Sequence, residues 1–190
     1  MKKRSSDAFG RLVQVQEFQG TGTNATLYAS TAYQYDSRDN LVLLTDAVGN
    51  TTTLRYDSLN RKIQMTDPDM GTWTYAYDDV DKLAAQADAR GVSIFFTYDT
   101  LGRQTRKDYL IPPVSGVPTN QPPVLYTYDN PLKAFSKGKL TEISDASGSS
   151  GFAYDTLGRL ITEAKTLGGT AYTIQRAYDF IVVGDSDDGK

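Results

Sequence analysis

The sequence predicts an all-β fold, an antiparallel meander of repeated β-hairpins. Three observations predict it. A Tyr-Asp pair recurs along the 190 residues, at Tyr35-Asp36, Tyr56-Asp57, Tyr77-Asp78, Tyr98-Asp99, Tyr128-Asp129, Tyr154-Asp155 and Tyr178-Asp179. Asp36, Asp57, Asp78 and Asp99 stand 21 residues apart, a period that fits two strands of about six residues and two turns. Between the pairs, apolar and polar residues alternate with period two, the pattern of a half-buried strand.

The unit from Asp57 to Asp78 shows each element in order. Asp57-Ser58-Leu59-Asn60 is a turn. In the strand that follows, Ile63 and Met65 alternate with Lys62 and Gln64. Asp67-Pro68-Asp69-Met70-Gly71 turns the chain back, and Trp73, Tyr75 and Tyr77 then alternate with Thr72, Thr74 and Ala76. Asp opens each turn because its carboxylate accepts hydrogen bonds from the backbone it folds over, and Gly at the fourth position accepts a positive φ. The Tyr-Asp turns read Asp99…Gly102 and Asp155…Gly158, with a copy at Asp7…Gly10 that carries Ser6 in place of Tyr. The opposite hairpin ends read Asp46…Gly49, Asp88…Gly91 and Asp145…Gly148. Where Gly is missing, Asn60 and Asp81 stand instead, residues that tolerate left-handed geometry. Leu83 to Ala87 has helical propensity but occupies a first-strand slot and is read as a strand. Tyr33 and Tyr35, Leu54 and Tyr56, Phe96 and Tyr98, and Tyr126 and Tyr128 are expected to form cross-strand ladders with their neighbours.

Residues 7–179 therefore read as repeats, with insertions near 19–27, 111–123 and 130–139. The prolines of the second insertion cannot donate to a ladder, which makes it a surface loop. Met1-Lys2-Lys3-Arg4 is basic and no apolar stretch follows, so residues 1–6 are expected to be a tag-like or disordered start rather than a signal peptide. Residues 180–190 are expected to be an irregular tail.

Composition narrows the chemistry. Net charge is −3 and no basic stripe forms, so no nucleic-acid partner is expected, nor membrane insertion. With no Cys and no His, disulfides, Cys or His nucleophiles and most zinc sites are excluded, and no cofactor is expected. Thirteen Tyr supply rings that pack while their hydroxyls stay polar. A single-layer sheet leaves a face and two edges open, so this one is expected to bury its aromatic face by curling or by oligomerising.

The phrase Tyr98-Asp99-Thr100-Leu101-Gly102-Arg103, repeated as Tyr154-Asp155-Thr156-Leu157-Gly158-Arg159, resembles the YD repeats of Rhs proteins. The resemblance runs from Asp7 to Asp179. It implies a ribbon of hairpins that spirals into a hollow shell, of which this chain would be a curved ribbon or partial shell. In bacterial Rhs and toxin-complex proteins the shell encloses a C-terminal toxin, and in animal teneurins it belongs to an adhesion receptor. The implied partners are further Rhs repeats or a toxin domain of a longer parent, bacterial and secreted or surface-associated. The family's aspartyl self-cleavage motif is not matched around Asp67 or Asp69, so that role is not carried over.

Two functions follow. The first is a non-enzymatic structural segment, with Tyr98, Asp99, Gly102, Arg103, Tyr154, Asp155, Gly158 and Arg159 as its corner pieces. Arg103 and Arg159 are placed to bond a neighbouring repeat's Asp. The alternative is a carbohydrate or cell-surface binding module that uses the aromatic residues Trp73, Tyr75 and Tyr77 or the long loops. Self-association through sheet edges or the apolar face is a further expectation. The paired carboxylates Asp67 with Asp69 and Asp78 with Asp79 have the residue type for acid–base chemistry, but Asp67 and Asp78 hold turn positions and are read as turn acceptors.

Overall fold

The computed structural model describes residues 1–20, 22–113, 119 and 121–178. Asp179, the tail at 180–190 and most of the middle of the 111–123 insertion lie outside the described residues. The chain divides into two compact units, 1–96 with 109–121 and 97–108 with 122–190. The first unit holds β1 (Lys2–Ser6), β2 (Leu12–Gln19), β3 (Thr26–Tyr35), β4 (Leu41–Thr45), β5 (Thr51–Tyr56), β6 (Lys62–Asp67), β7 (Gly71–Tyr77), β8 (Leu83–Ala87) and most of β9 (Ser93–Tyr98). The second holds most of β10 (Gln104–Leu110), then β11 (Val124–Tyr128), β12 (Leu140–Asp145), β13 (Gly148–Tyr154), β14 (Leu160–Leu167) and β15 (Thr170–Gln175). Within each unit every strand pairs antiparallel with the next in sequence. The repeat is thus a meander of hairpins, as its period and alternation predict.

The start of the chain differs from expectation. Lys2 to Ser6 is a strand, paired with β2 from Lys2↔Glu17 to Ser5↔Gln14 and, after a one-residue register shift, at Ser6↔Leu12. Its own residues show no apolar alternation, so pairing to β2 through the Asp7 turn supplies the order that its composition does not advertise. The first insertion contains a short 3-10 turn at Gly22–Asn24 between β2 and β3.

The turns follow the predicted chemistry in detail. At Asp7 the backbone N–H donates to Arg11 O at 2.9 Å while Gly10 N–H returns to Asp7 O at 3.1 Å. Gly10, Gly49, Gly91, Gly102 and Gly158 all take positive φ at the fourth position, and Asn60 and Asp81 do the same at 63° and 64°. Asp39 joins them at 65°, in the turn that begins at Asp36. The Asp145 hairpin departs from this pattern. Asp145 pairs directly with Gly148 across a two-residue tip, and Gly148 has φ +146° as the first residue of β13. Its glycine serves a close approach of backbones, because an added Cβ would stand 1.8 Å from Thr166 O.

Side chains alternate as read: Trp73, Tyr75 and Tyr77 are half-buried while Thr72, Thr74 and Ala76 are exposed. The ladders are not aromatic on aromatic, however. Tyr-rich strands alternate with aliphatic ones, so Trp73 lies opposite Met65, Tyr33 opposite Leu44 and Tyr77 opposite Leu83. No apolar side chain is fully buried among the described residues; Thr141 is, at 0 % exposure. Stability here therefore comes from half-buried rows and from polar ties between neighbouring hairpins, which directs attention to the Tyr-Asp corners.

Candidate functional site

The Tyr-Asp corners at Asp99 and Asp155 close on themselves. Asp99 Oδ1 accepts from Leu101 N–H at 3.0 Å and Arg103 N–H at 2.9 Å, and its Oδ2 accepts from Arg103 Nε at 2.7 Å. Gly102 at φ 78° lets the chain turn back under that carboxylate. Asp155 repeats the arrangement with Leu157 at 2.9 Å, Arg159 N–H at 2.9 Å and Arg159 Nε at 2.7 Å, around Gly158 at φ 75°. Hydrogen bonds to the charged form favour it. The Arg103 backbone N–H, together with its guanidinium, thus holds the Asp99 carboxyl below its usual range, as the Arg61 N–H does for Asp57.

The corners are also tied to one another. Arg11 bridges Asp7 at 2.7 Å and Asp39 of the next Tyr-Asp turn at 2.8 Å. Arg61 does so with Asp57 and Asp81, both at 2.7 Å, and Arg103 with Asp99 and Asp129, both at 2.7 Å. Each guanidinium also lies over the Tyr ring of that next repeat: Arg11 over Tyr35 at 5.1 Å, Arg61 over Tyr77 at 5.0 Å and Arg103 over Tyr128 at 4.4 Å. That ring's hydroxyl reaches back to the strand the Arg opens. Tyr35 donates to Leu12 O at 2.9 Å, Tyr77 to Lys62 O at 2.9 Å and Tyr128 to Gln104 O at 3.0 Å; Tyr154 donates to Leu140 O at 2.7 Å, where Lys139 stands in place of the Arg and lies over the ring at 5.7 Å. Arg159 lies over Tyr178 at 4.5 Å, and Tyr178 donates to Leu160 O at 2.9 Å. Burial first, and then the Asp57 charge, push the Tyr77 hydroxyl above its ordinary value, which keeps it a donor. Tyr, Asp and Arg together form a staple between successive hairpins.

The comparisons with known proteins agree with this geometry. The RHS Repeat family model matches residues 35–69 and 136–171; the first stretch contains the Tyr35-Asp36 and Tyr56-Asp57 corners and the second the Tyr154-Asp155 corner. Those two stretches are Rhs repeats. No curated protein matches it in sequence. It is similar to the crystal structure of TcdB2-TccC3-Cdc42, at 17% identity and a TM-score of 0.69 over 92% of this chain and 10% of that one. The crystal structure of TcdB2-TccC3 is similar at 16% identity and a TM-score of 0.69, covering 92% of this chain and 11% of that one. The Photorhabdus luminescens Tc holotoxin pore with a mutated TccC3 is similar at 14% identity and a TM-score of 0.56, covering 90% and 11%. At these identities the likeness is one of fold, and this chain spans about a tenth of the length of those solved chains.

Within the YD repeats the three aromatic candidates have different surroundings. Tyr77 is spent on the staple, and Lys62 lies over the Tyr75 ring at 4.5 Å. Trp73 donates to Met70 O at 3.2 Å and lines an open hollow of about 440 Å³ with Pro68, Asp69, Met70, Asp88 and Arg90. The paired carboxylates act as turn groups. Asp67 accepts from Thr52 Oγ1 at 2.6 Å and from Asp69 N–H at 3.0 Å, and Asp78 from Val80 and Lys82 N–H at 3.0 and 2.8 Å. Sequence reasoning placed Arg103 against a neighbouring Asp but missed the Tyr hydroxyl and its carbonyl. The available signal was the recurrence of Arg11, Arg61, Arg103 and Arg159 directly after the turn, each two strands ahead of a Tyr-Asp pair.

Two expectations arise from the staple. Tyr77→Phe removes one neutral hydrogen bond and leaves the ring, so stability should fall by about 1 kcal/mol. Urea unfolding would show this as a lower midpoint at unchanged slope. The second concerns acid. Depressed carboxylates such as Asp57, Asp99 and Asp129 contribute stability that is present above the unfolded pKa of about 3.9 and lost as pH falls through their lower folded values. Thermal midpoints should therefore hold steady above about pH 5 and drop below about pH 4. A midpoint unchanged from neutral pH down to about pH 2.5 would show that the staples carry no stability.

Proposed function

We propose that the chain forms part of the wall of a hollow Rhs-type shell that encloses a polypeptide, and that it catalyses no reaction itself. The observation that carries this is the staple. The recurring Tyr hydroxyls, Asp carboxylates and Arg guanidiniums bond within their own turn and to the neighbouring repeat, so the motif that defines the chain is spent on holding a ribbon together. The similar solved structures are Tc toxin assemblies, and this chain would correspond to a piece of such a wall. The test uses the full product of the gene that contains these repeats. Under protease, a segment outside the repeats should stay intact, and become cleavable when Arg61→Ala and Arg103→Ala loosen the wall. A full product with no protected segment sinks this reading.

The Trp73 hollow favours a second reading, recognition of a carbohydrate by ring stacking with Asp69, Asp88 and Arg90 at its rim. Binding on a glycan array that Trp73→Ala abolishes without unfolding would support it, and an array with no signal would remove it.

A further inference from the structure

The insertion at 130–139 is held rigidly, and it holds large apolar side chains out to solvent. It sits between β11 and β12 where other repeats have a four-residue turn. Asn130 O accepts from Lys133 N–H at 3.0 Å and from Ser136 Oγ at 2.8 Å, and Asn130 Oδ1 accepts from Leu132 N–H at 2.9 Å. Ser136 O accepts from Lys139 N–H at 2.8 Å, and Asp129 Oδ1 accepts from Gly138 N–H. The Lys133 ammonium reaches down to Thr141 O at 2.8 Å. These bonds explain why Ser136 and Thr141 are enclosed. They leave two side chains unexplained. Leu132 is 93% exposed and Phe135 is 54% exposed, the latter at φ 56°. A positive φ is disfavoured for an aromatic residue, and such strain persists where the surroundings impose it. A merely tolerated insertion would gain by placing Gly or Asn there.

Within the insertion itself the charges have one sign, while Asp129 at its base is paired with Arg103 and also feels Lys137. Residues 130–139 contain Lys133, Lys137 and Lys139 and no acid, in a chain of net charge −3. None of the three makes an ion pair within 4 Å among the described residues, whereas Arg103 beside them pairs twice. Lys133 is spent on backbone carbonyls and Lys139 lies over Tyr154 at 5.7 Å, so their charge is not neutralised. Lys137 is exposed.

We propose that this loop is a docking surface for a protein segment that carries an apolar anchor flanked by carboxylates. Leu132 and Phe135 receive the anchor and the lysines supply the complementary field. An anionic lipid surface fits less well, because one outward lysine and two apolar side chains fall short of the polybasic cluster that holds a segment on such a surface. The inference goes beyond the wall reading and stands whether or not a polypeptide is enclosed.

The test is an overlay of the whole chain on an array of six-residue peptides, each with one Leu or Phe among Glu and Asp, beside matched sets with Lys or Ser in place of the acids. The acidic set should bind and the Lys set should not, with affinity falling as salt rises. Leu132→Ser with Phe135→Ser, and separately Lys137→Glu, should each weaken binding roughly tenfold or more. Leu101→Ser, which removes an equally outward side chain (74% exposed) from an ordinary turn, should leave it unchanged. Unaltered circular dichroism and thermal midpoint in each variant would show that folding is intact. Equal binding of acidic and basic peptides, no binding to any peptide, or binding to phosphatidylserine vesicles in preference to peptides would each overturn the proposal.

Discussion

Gly148→Ala is expected to lower stability by about 3 kcal/mol. Two costs add at this position. The residue has φ +146°, a region that side chains rarely adopt, and its new Cβ would stand 1.8 Å from Thr166 O and 2.9 Å from Thr166 C. Both are backbone atoms of β14, locked in register by Ser149↔Thr166 and Gly148↔Leu167. Relief therefore requires the β13–β14 ladder to open at its end or β13 to shift. Gly168→Ala is the control within the same unit. It also has positive φ, at 53°, but a Cβ there meets nothing within 4 Å, so it should cost about 1 kcal/mol from conformation alone. Urea unfolding of the two variants separates crowding from strain. Hydrogen exchange in Gly148→Ala should quicken first at the paired amides of β13 and β14. Equal costs for the two variants would mean that the close approach of β13 to β14 is absent in solution.

That glycine marks one limit of what the sequence makes legible. The period of 21 residues, the alternation of Trp73, Tyr75 and Tyr77 with small polar residues, and the Asp-first turns are all local signals, and each is realised in the strands and turns. Gly148 has the same Asp-x-x-Gly spacing as Gly102 yet performs a different task, because the neighbour that requires a glycine lies 18 residues further on, at Thr166. Lys2 to Ser6 was equally opaque: a strand without apolar alternation is recognised only through its partner, here β2. The corner Tyr98 to Arg103 was legible as a turn, but its link to Asp129 depends on stacking two hairpins. In an array stabilised by nearest neighbours, that contact between units carries much of the cooperativity.

Arg103→Ala tests this link, and its effect should be the largest of the staple substitutions. Arg103 makes two charge-assisted contacts, to Asp99 and Asp129, and covers the Tyr128 ring, whereas Tyr77→Phe removes one neutral bond. Charge-assisted bonds are roughly twice as strong as neutral ones, so the thermal midpoint should fall by several degrees and by more than in Tyr77→Phe. Arg103→Lys should restore little, since an ammonium cannot offer a planar fork to two carboxylates and a ring at once. One feature moderates the loss: Arg103 Nη1 is enclosed without a hydrogen-bond partner among the described residues. In the ordinary turns a guanidinium nitrogen also donates to the next Asp carbonyl, as Arg11 Nη1 does to Asp36 O at 3.1 Å, and the 130–139 insertion replaces such a turn. A double-mutant cycle with Asp129→Asn should show strong non-additivity, because removing Arg103 leaves little for Asp129 to lose. Faster hydrogen exchange should concentrate at β10, β11 and the Asp129 turn and spare β5 to β7, since each hairpin is held by its immediate neighbours. A uniform loss of protection along the whole chain would instead mean that the ribbon unfolds as one unit and that the Tyr-Asp-Arg staple does not set its cooperative steps.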